Sequence, residues 1–246
     1  MPPGARATRA MTSARARRGE KSKTDGFFTR HRSVFLYVPN LIGYGRLLAC
    51  ALAMARAFTD VNAFTMLYAL SFACDAIDGA CARAFEQSST FGAALDMITD
   101  RVATTALLTT LACADERFRL SAIALIALDV SSHWMHDRAM TTLGKASHKD
   151  VGGTRYGWIT RYYYESRLFM GACCVGAEVM YVSLHVLAID PTERTRTWVW
   201  VISGGTATFA RLARLAAPLW AVKQWTNVAQ LVSACRILAA SDAVET

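Results

Sequence analysis

Asp75-Ala-Ile-Asp78-Gly79-Ala-Cys-Ala82-Arg83, continued after eight residues by Gly92-Ala-Ala-Leu-Asp96-Met-Ile-Thr-Asp100, is the stretch that decides how this chain folds. Asp75 and Asp78 are three apart and Asp96 and Asp100 four apart, so each pair projects from one face of a helix. Both pairs sit in sequence otherwise apolar enough for a bilayer. Ionisable groups at that depth are costly and turn toward a cavity, a partner charge or a metal. Four clustered like charges repel one another unless a cation stands among them or some are protonated. Acid spacing and apolar context together predict a metal-dependent site inside a membrane bundle.

The rest of the chain agrees with a membrane setting. Of its 246 residues, 53% are hydrophobic and only 19% charged, with mean hydropathy +0.23. Apolar stretches recur at 41–58, 64–84, 91–113, 118–136, 168–189 and 198–222. A spanning helix needs about 20 predominantly apolar residues. The reading is therefore an all-α integral membrane protein, a six-transmembrane-helix bundle; the alternative is a very apolar soluble helical protein. No internal repeat is visible, which removes support for a transporter built on inverted repeats. The seven cysteines show no CxxC spacing and lie mostly in apolar segments, where a free Cys behaves as a small hydrophobe.

The net charge of +8 is distributed unevenly. Residues 1–32 carry nine Lys/Arg, and the connection between the fourth and fifth stretches carries Arg138, Lys145, Lys149, Arg155, Arg161 and Arg167. The opposite connections are poorer in Lys and Arg. By the positive-inside rule both termini and the acidic motif face the cytosol. Residues 1–32 are expected to be a disordered basic tail near anionic headgroups, with a transit peptide as the other reading. Residues 33–240 form the six-helix membrane catalytic domain. Membrane lipids are the expected surroundings, and no nucleic-acid partner is expected.

Carboxylate oxygens at this spacing suit Mg²⁺ or Mn²⁺, which also bind phosphate oxygens. Gly79 lets a phosphate or sugar approach the backbone beside Asp78, and Gly92 clears space one turn before Asp96. Arg83 offers a planar fork to a phosphate, and Ser89 a nearby hydroxyl. A two-metal site held by Asp75, Asp78, Asp96 and Asp100 would clamp a diphosphate and stabilise the charge on its leaving oxygen. Asp100 is the candidate general base for an attacking alcohol. The alternative is that all four acids only bind metal. No Ser-His or Cys-His pair stands out as a nucleophile, which favours direct attack in a ternary complex.

The pattern Asp-x2-Asp-Gly-x2-Ala-Arg-x8-Gly-x3-Asp-x3-Asp resembles the CDP-alcohol phosphatidyltransferase family at every specified position. The resemblance implies six membrane helices, commonly a homodimer, and attack of an alcohol on the phosphate bearing diacylglycerol, with release of CMP. It also implies metal binding by Asp75, Asp78, Asp96 and Asp100, and CDP contacts from Gly79, Arg83 and Ser89. Val34-Phe-Leu-Tyr-Val-Pro39-Asn40-Leu-Ile-Gly-Tyr, Asp129-Val-Ser-Ser-His133-Trp, Ser147-His148-Lys149 and Arg161-Tyr-Tyr-Tyr-Glu-Ser-Arg167 look like the eukaryotic phosphatidylinositol synthases of that family. Those join CDP-diacylglycerol to myo-inositol, and they imply an endoplasmic reticulum membrane.

Other residues are read two ways. Asn40 is a candidate CDP contact, and Arg46 either shares that role or snorkels to the interface. Asp129 and His133, four apart, allow a hydrogen-bonded pair inside the bundle. Lys149, Arg161 and Arg167 are candidate inositol contacts, or else solvated and interfacial anchors. Trp198, Trp200, Trp220 and Trp225 read as interface anchors. Within the family, glycerol 3-phosphate or serine could replace inositol as acceptor. Outside it, the rivals are an intramembrane prenyltransferase and a carboxylate-lined transporter.

Overall fold

The computed structural model describes residues 33–143, 158–189 and 204–245. The basic tail, His148, Lys149, Trp198 and Trp200 lie outside the described residues. The described chain is helical, with no strands. After a 3₁₀ turn at Val34–Leu36 come α1 (Val38–Arg56), α2 (Val61–Ala84), α3 (Thr90–Ala114) and α4 (Arg119–Thr142). Then follow α5 (Trp158–Glu165), α6 (Arg167–Ala188) and α7 (Thr206–Glu245).

Local chemistry sets the ends. Pro39 sits in the first turn of α1, where its missing N–H costs nothing. Asp60 caps α2, Ser89 caps α3 and Ser166 caps α6, each side chain accepting a backbone N–H of the first turn. At the end of α2 the Gln87 N–H returns to the Ala82 carbonyl at 2.9 Å and Glu86 takes φ +54°. That left-handed closure is normally glycine's. Short connections make α1, α2, α3 and α4 run antiparallel to one another in turn. The start of α1, the end of α2 and the start of α3 therefore share one end of the bundle. α1 packs along α2, while α7 packs along α6 and α4.

Among the described residues three helices, Val38–Arg56, Val61–Ala84 and Arg167–Ala188, are long and apolar enough to cross a membrane. The other long helices, α3, α4 and α7, are diluted by Asp96, Asp100 and Arg101, by Asp129, Asp137 and Arg138, and by Arg211, Arg214 and Lys223. The six-span expectation is thus met at three by length and composition. α7 runs through Pro218 to Glu245.

The distribution of polarity is inverted relative to a water-soluble domain. Leu120 is 79%, Leu168 86% and Leu215 75% exposed, whereas Asn40, Arg46, Asp129, His136, Lys223 and Asn227 are buried. An apolar shell around a charged interior is what lipid solvation selects. Small residues let the helices approach: Ala53, Ala57, Ala122 and Ala177 share the main core with Phe64, Tyr68, Leu107 and Leu108. Trp220 belongs with this core rather than to an interface belt. It packs against the cluster, and its indole N–H donates to the Tyr181 hydroxyl at 3.0 Å.

Candidate active site

The antiparallel turn between α2 and α3 brings the two acid pairs face to face, and α1 supplies a charge between them. Arg46 Nη1 donates to Asp78 Oδ2 at 2.9 Å and to Asp96 Oδ1 at 2.9 Å. Arg46 Nη2 lies 2.6 Å from Asp100 Oδ1 and 2.7 Å from Asp75 Oδ1. One guanidinium thus engages all four carboxylates. Arg46 is only 3% exposed, which rules out the snorkelling reading. A fork of fixed donors can hold four oxygens at once where a single ammonium could not.

The acids separate two chambers. Asp78 and Asp96 line a cleft of about 170 Å³ between α1, α2 and α3, together with Asn40, Gly79 and Ser89. Asp75 and Asp100 line a second, polar cavity with Arg46, Arg101, Tyr68, Thr104 and Glu178. Asn40, Gly79, Ser89 and Gly92 all line the first cleft, and some of them have a structural duty besides. Asn40 is buried, donates to the Val34 carbonyl at 2.6 Å, and forms one wall. Ser89 spends its oxygen on the Gly92 N–H at 3.0 Å, so it caps the helix as well as lining the cleft. Gly92 lines the same cleft, and a Cβ there would stand 2.9 Å from Asn40 Oδ1 and 3.1 Å from Ser89 Oγ. Arg83 is exposed, and its guanidinium lies 3.5 Å from where a Gly79 Cβ would be.

Beyond Asp100 runs a second charged layer that the sequence reading missed. Arg101 Nη1 donates to Asp129 Oδ1 at 2.7 Å and lies 2.9 Å from the His133 ring, while Arg101 Nη2 is 3.8 Å from Asp100 Oδ2. Asn227 donates to the same Asp129 oxygen at 3.3 Å, and Lys223 to Asn227 at 3.1 Å. The expected Asp129–His133 hydrogen-bonded pair forms through the Asp129 backbone rather than between the two side chains. Their side-chain N and O atoms are 3.8 Å apart, and the ring meets the Asp129 backbone carbonyl at 2.8 Å. The signal was Arg101 itself, a cation directly after the last motif acid.

Arg161 is exposed and paired with Glu165 at 2.7 Å. Arg167 starts α6 at the edge of an apolar groove between α6 and α7. Neither lines the two acid-bearing chambers.

The donor set fits a hard divalent cation. Oxygens of Asp75, Asp78 and Asp96 all lie within 4.8 Å of one another, and the point they surround already holds a positive group, the Arg46 guanidinium. Carboxylates of this kind with room for substrate oxygens are the usual holders of Mg²⁺-like ions.

Apolar helices, the paired acids and the cleft beside them are the parts of a lipid phosphotransferase, and the chain belongs to the CDP-alcohol phosphatidyltransferase family, whose domain matches residues 36–234. Enzymes of this family are generally divalent-metal dependent. Over 207 residues the chain is 42% identical to the probable CDP-diacylglycerol–inositol 3-phosphatidyltransferase 2 of Arabidopsis thaliana, covering 83% of this chain and 90% of the relative. It is 36% identical over 217 residues to the CDP-diacylglycerol–inositol 3-phosphatidyltransferase of Rattus norvegicus, covering 87% and 96%. The Saccharomyces cerevisiae enzyme of that name is 34% identical over 210 residues, covering 85% and 89%. No solved structure matches the chain significantly.

Proposed function

We propose that this chain is a phosphatidylinositol synthase, transferring the phosphatidyl group of CDP-diacylglycerol to myo-inositol and releasing CMP. One observation supports the chemistry: Asp75, Asp78, Asp96 and Asp100 converge from two helices on one buried guanidinium, that of Arg46. The names borne by relatives over nearly the whole domain carry the choice of acceptor.

The four aspartates would hold two Mg²⁺ or Mn²⁺ ions, which neutralise the diphosphate and the charge developing on the departing CMP. The chain's own groups do the rest. Asn40, Gly79, Arg83 and Ser89 line or border the cleft and would receive the CDP moiety. Asp100 faces the opposite cavity and would accept the proton of the attacking hydroxyl. The inositol oxygen bonds to the phosphorus that carries diacylglycerol. The bond from that phosphorus to the oxygen bridging to CMP breaks, and the electron pair leaves with CMP. Basic residues at the expected cytosolic mouth, Lys149, Arg161 and Arg167, would attract or contact the acceptor.

The uneven Lys/Arg distribution supports an active site open to the cytosol, and six spanning helices remain the arrangement proposed for the whole domain. A homodimer in the endoplasmic reticulum membrane completes the reading. The test is CMP release and lipid formation by purified protein with CDP-diacylglycerol and Mn²⁺, across a panel of labelled alcohols. Inositol-dependent phosphatidylinositol formation is expected. A preference for serine or glycerol 3-phosphate would replace the acceptor, and no CMP release with any alcohol would refute the enzyme.

A further inference from the structure

The fifth apolar stretch contains one acid, Glu178, in the middle of α6. A carboxylate at that depth is expensive unless something uses it. Among the described residues no Lys or Arg forms an ion pair with it, although Arg46 and Arg101 line the same cavity. Instead the Tyr68 hydroxyl donates to Oε2 at 2.6 Å and the Thr104 hydroxyl donates to Oε1 at 2.9 Å. Each carboxylate oxygen therefore keeps a lone pair, and each donor oxygen keeps its own acceptor capacity. The three side chains form one wall of the polar cavity whose other wall carries Asp75 and Asp100.

Placement gives this wall a purpose. In displacement at phosphorus, the attacking and leaving oxygens stand roughly in line on opposite faces. Here the acids divide two and two between chambers on opposite sides. The cleft with Asn40, Gly79 and Ser89 suits the leaving nucleotide, so the alcohol enters from the side of Asp100 and Glu178. That cavity is small, about 50 Å³ against about 170 Å³ for the cleft, and takes the edge of a ring rather than a nucleoside.

Resting on the proposed transferase reading, we infer that Glu178, with Tyr68 and Thr104, is the acceptor subsite and the determinant of acceptor class: it receives the hydroxyls flanking the attacking oxygen of a neutral polyol. The attacking hydroxyl passes its proton to Asp100 while its neighbours donate to Glu178. Arg46 and Arg101 also line this cavity but are engaged by the motif acids and by Asp129, so the groups left to a ligand are acceptors, which reward hydroxyl donors and disfavour a phosphorylated acceptor, whose phosphate brings about two negative charges and no strong donor. Sites built to bond a hydroxyl discriminate strongly against analogues lacking it.

The test uses the full chain in detergent or vesicles with Mn²⁺ and measures KM separately for myo-inositol and CDP-diacylglycerol. Glu178→Gln is expected to raise the inositol KM at least tenfold while the CDP-diacylglycerol KM stays within twofold. Tyr68→Phe and Thr104→Val, which keep shape, should each raise it severalfold. An unmoved inositol KM in Glu178→Gln and Thr104→Val overturns the inference, as does an equal rise in both KM values. So does a shift confined to Arg161→Ala and Arg167→Ala. Wild-type protein that makes no lipid from inositol would remove the proposed function, and this subsite with it. Wild-type synthesis with unmoved variants would remove the subsite alone.

Discussion

Arg46 and Asp100 meet at 2.6 Å, the side chain of one helix closing on the last acid of another across 54 residues of sequence. The same guanidinium reaches the other three carboxylates, so Arg46 is the keystone of the acid cluster. Removing one partner of a buried ion pair costs about 3–5 kcal/mol, and the lower figure applies where partners such as Asp96 are half exposed.

Arg46→Gln is therefore expected to destabilise the protein by about 3 kcal/mol and to cut turnover sharply. Thermal melts in detergent, with chelator and with Mn²⁺, check this. The loss should be larger in chelator, because divalent cations can take over the charge balance. Identical losses under both conditions would show that the carboxylates do not depend on Arg46 for neutralisation.

Asp100→Asn preserves shape and removes proton acceptance. Turnover should fall by about 10²–10⁴ while CDP-diacylglycerol still binds. Parallel CMP-release and nucleotide-lipid binding assays separate the two effects, and undiminished synthesis would take Asp100 out of the proton transfer.

Arg83→Lys exchanges a planar fork for a point charge at the exposed lip of the cleft beside Gly79. The expected outcome is a rise in the CDP-diacylglycerol KM of about tenfold, worth about 1.4 kcal/mol, with the inositol KM unchanged. An unaltered nucleotide-lipid KM would return Arg83 to the surface.

Gly92→Ala should destabilise by about 1–3 kcal/mol, because the new methyl meets Asn40 Oδ1 and Ser89 Oγ inside normal contact distance. The cost should appear in the melting temperature even without substrate. Pairing it with Asn40→Ala, which removes the closer obstacle, should recover part of the loss.

Periodicity carried the acid pairs, because i,i+3 and i,i+4 spacing fixes a shared helix face whatever the tertiary structure. Spacing says nothing about which way a long side chain turns, so Arg46 was balanced between lipid interface and ligand until its neighbours were visible. Glu178 was readable as a lone acid in an apolar run, the same signal that singled out the motif, but its partners Tyr68 and Thr104 come from two other helices. Ser89 before Thr90 was a legible helix cap read only as a ligand. The Asp129–His133 spacing was right for a pair, yet Arg101 from the neighbouring helix α3 holds the carboxylate.

The link between the two halves of the motif has a consequence of its own. The Glu86 closure ends α2, Ser89 begins α3, and the Gln87 side chain accepts the Val38 N–H at 2.9 Å. Those three fastenings make the eight residues after Arg83 a ruler: one residue more or fewer would rotate Asp96 and Asp100 by about 100° around their helix axis. Insertions should therefore be tolerated almost anywhere along the rim of this bundle before they are tolerated here, and the length of that link is itself a heritable part of the catalyst.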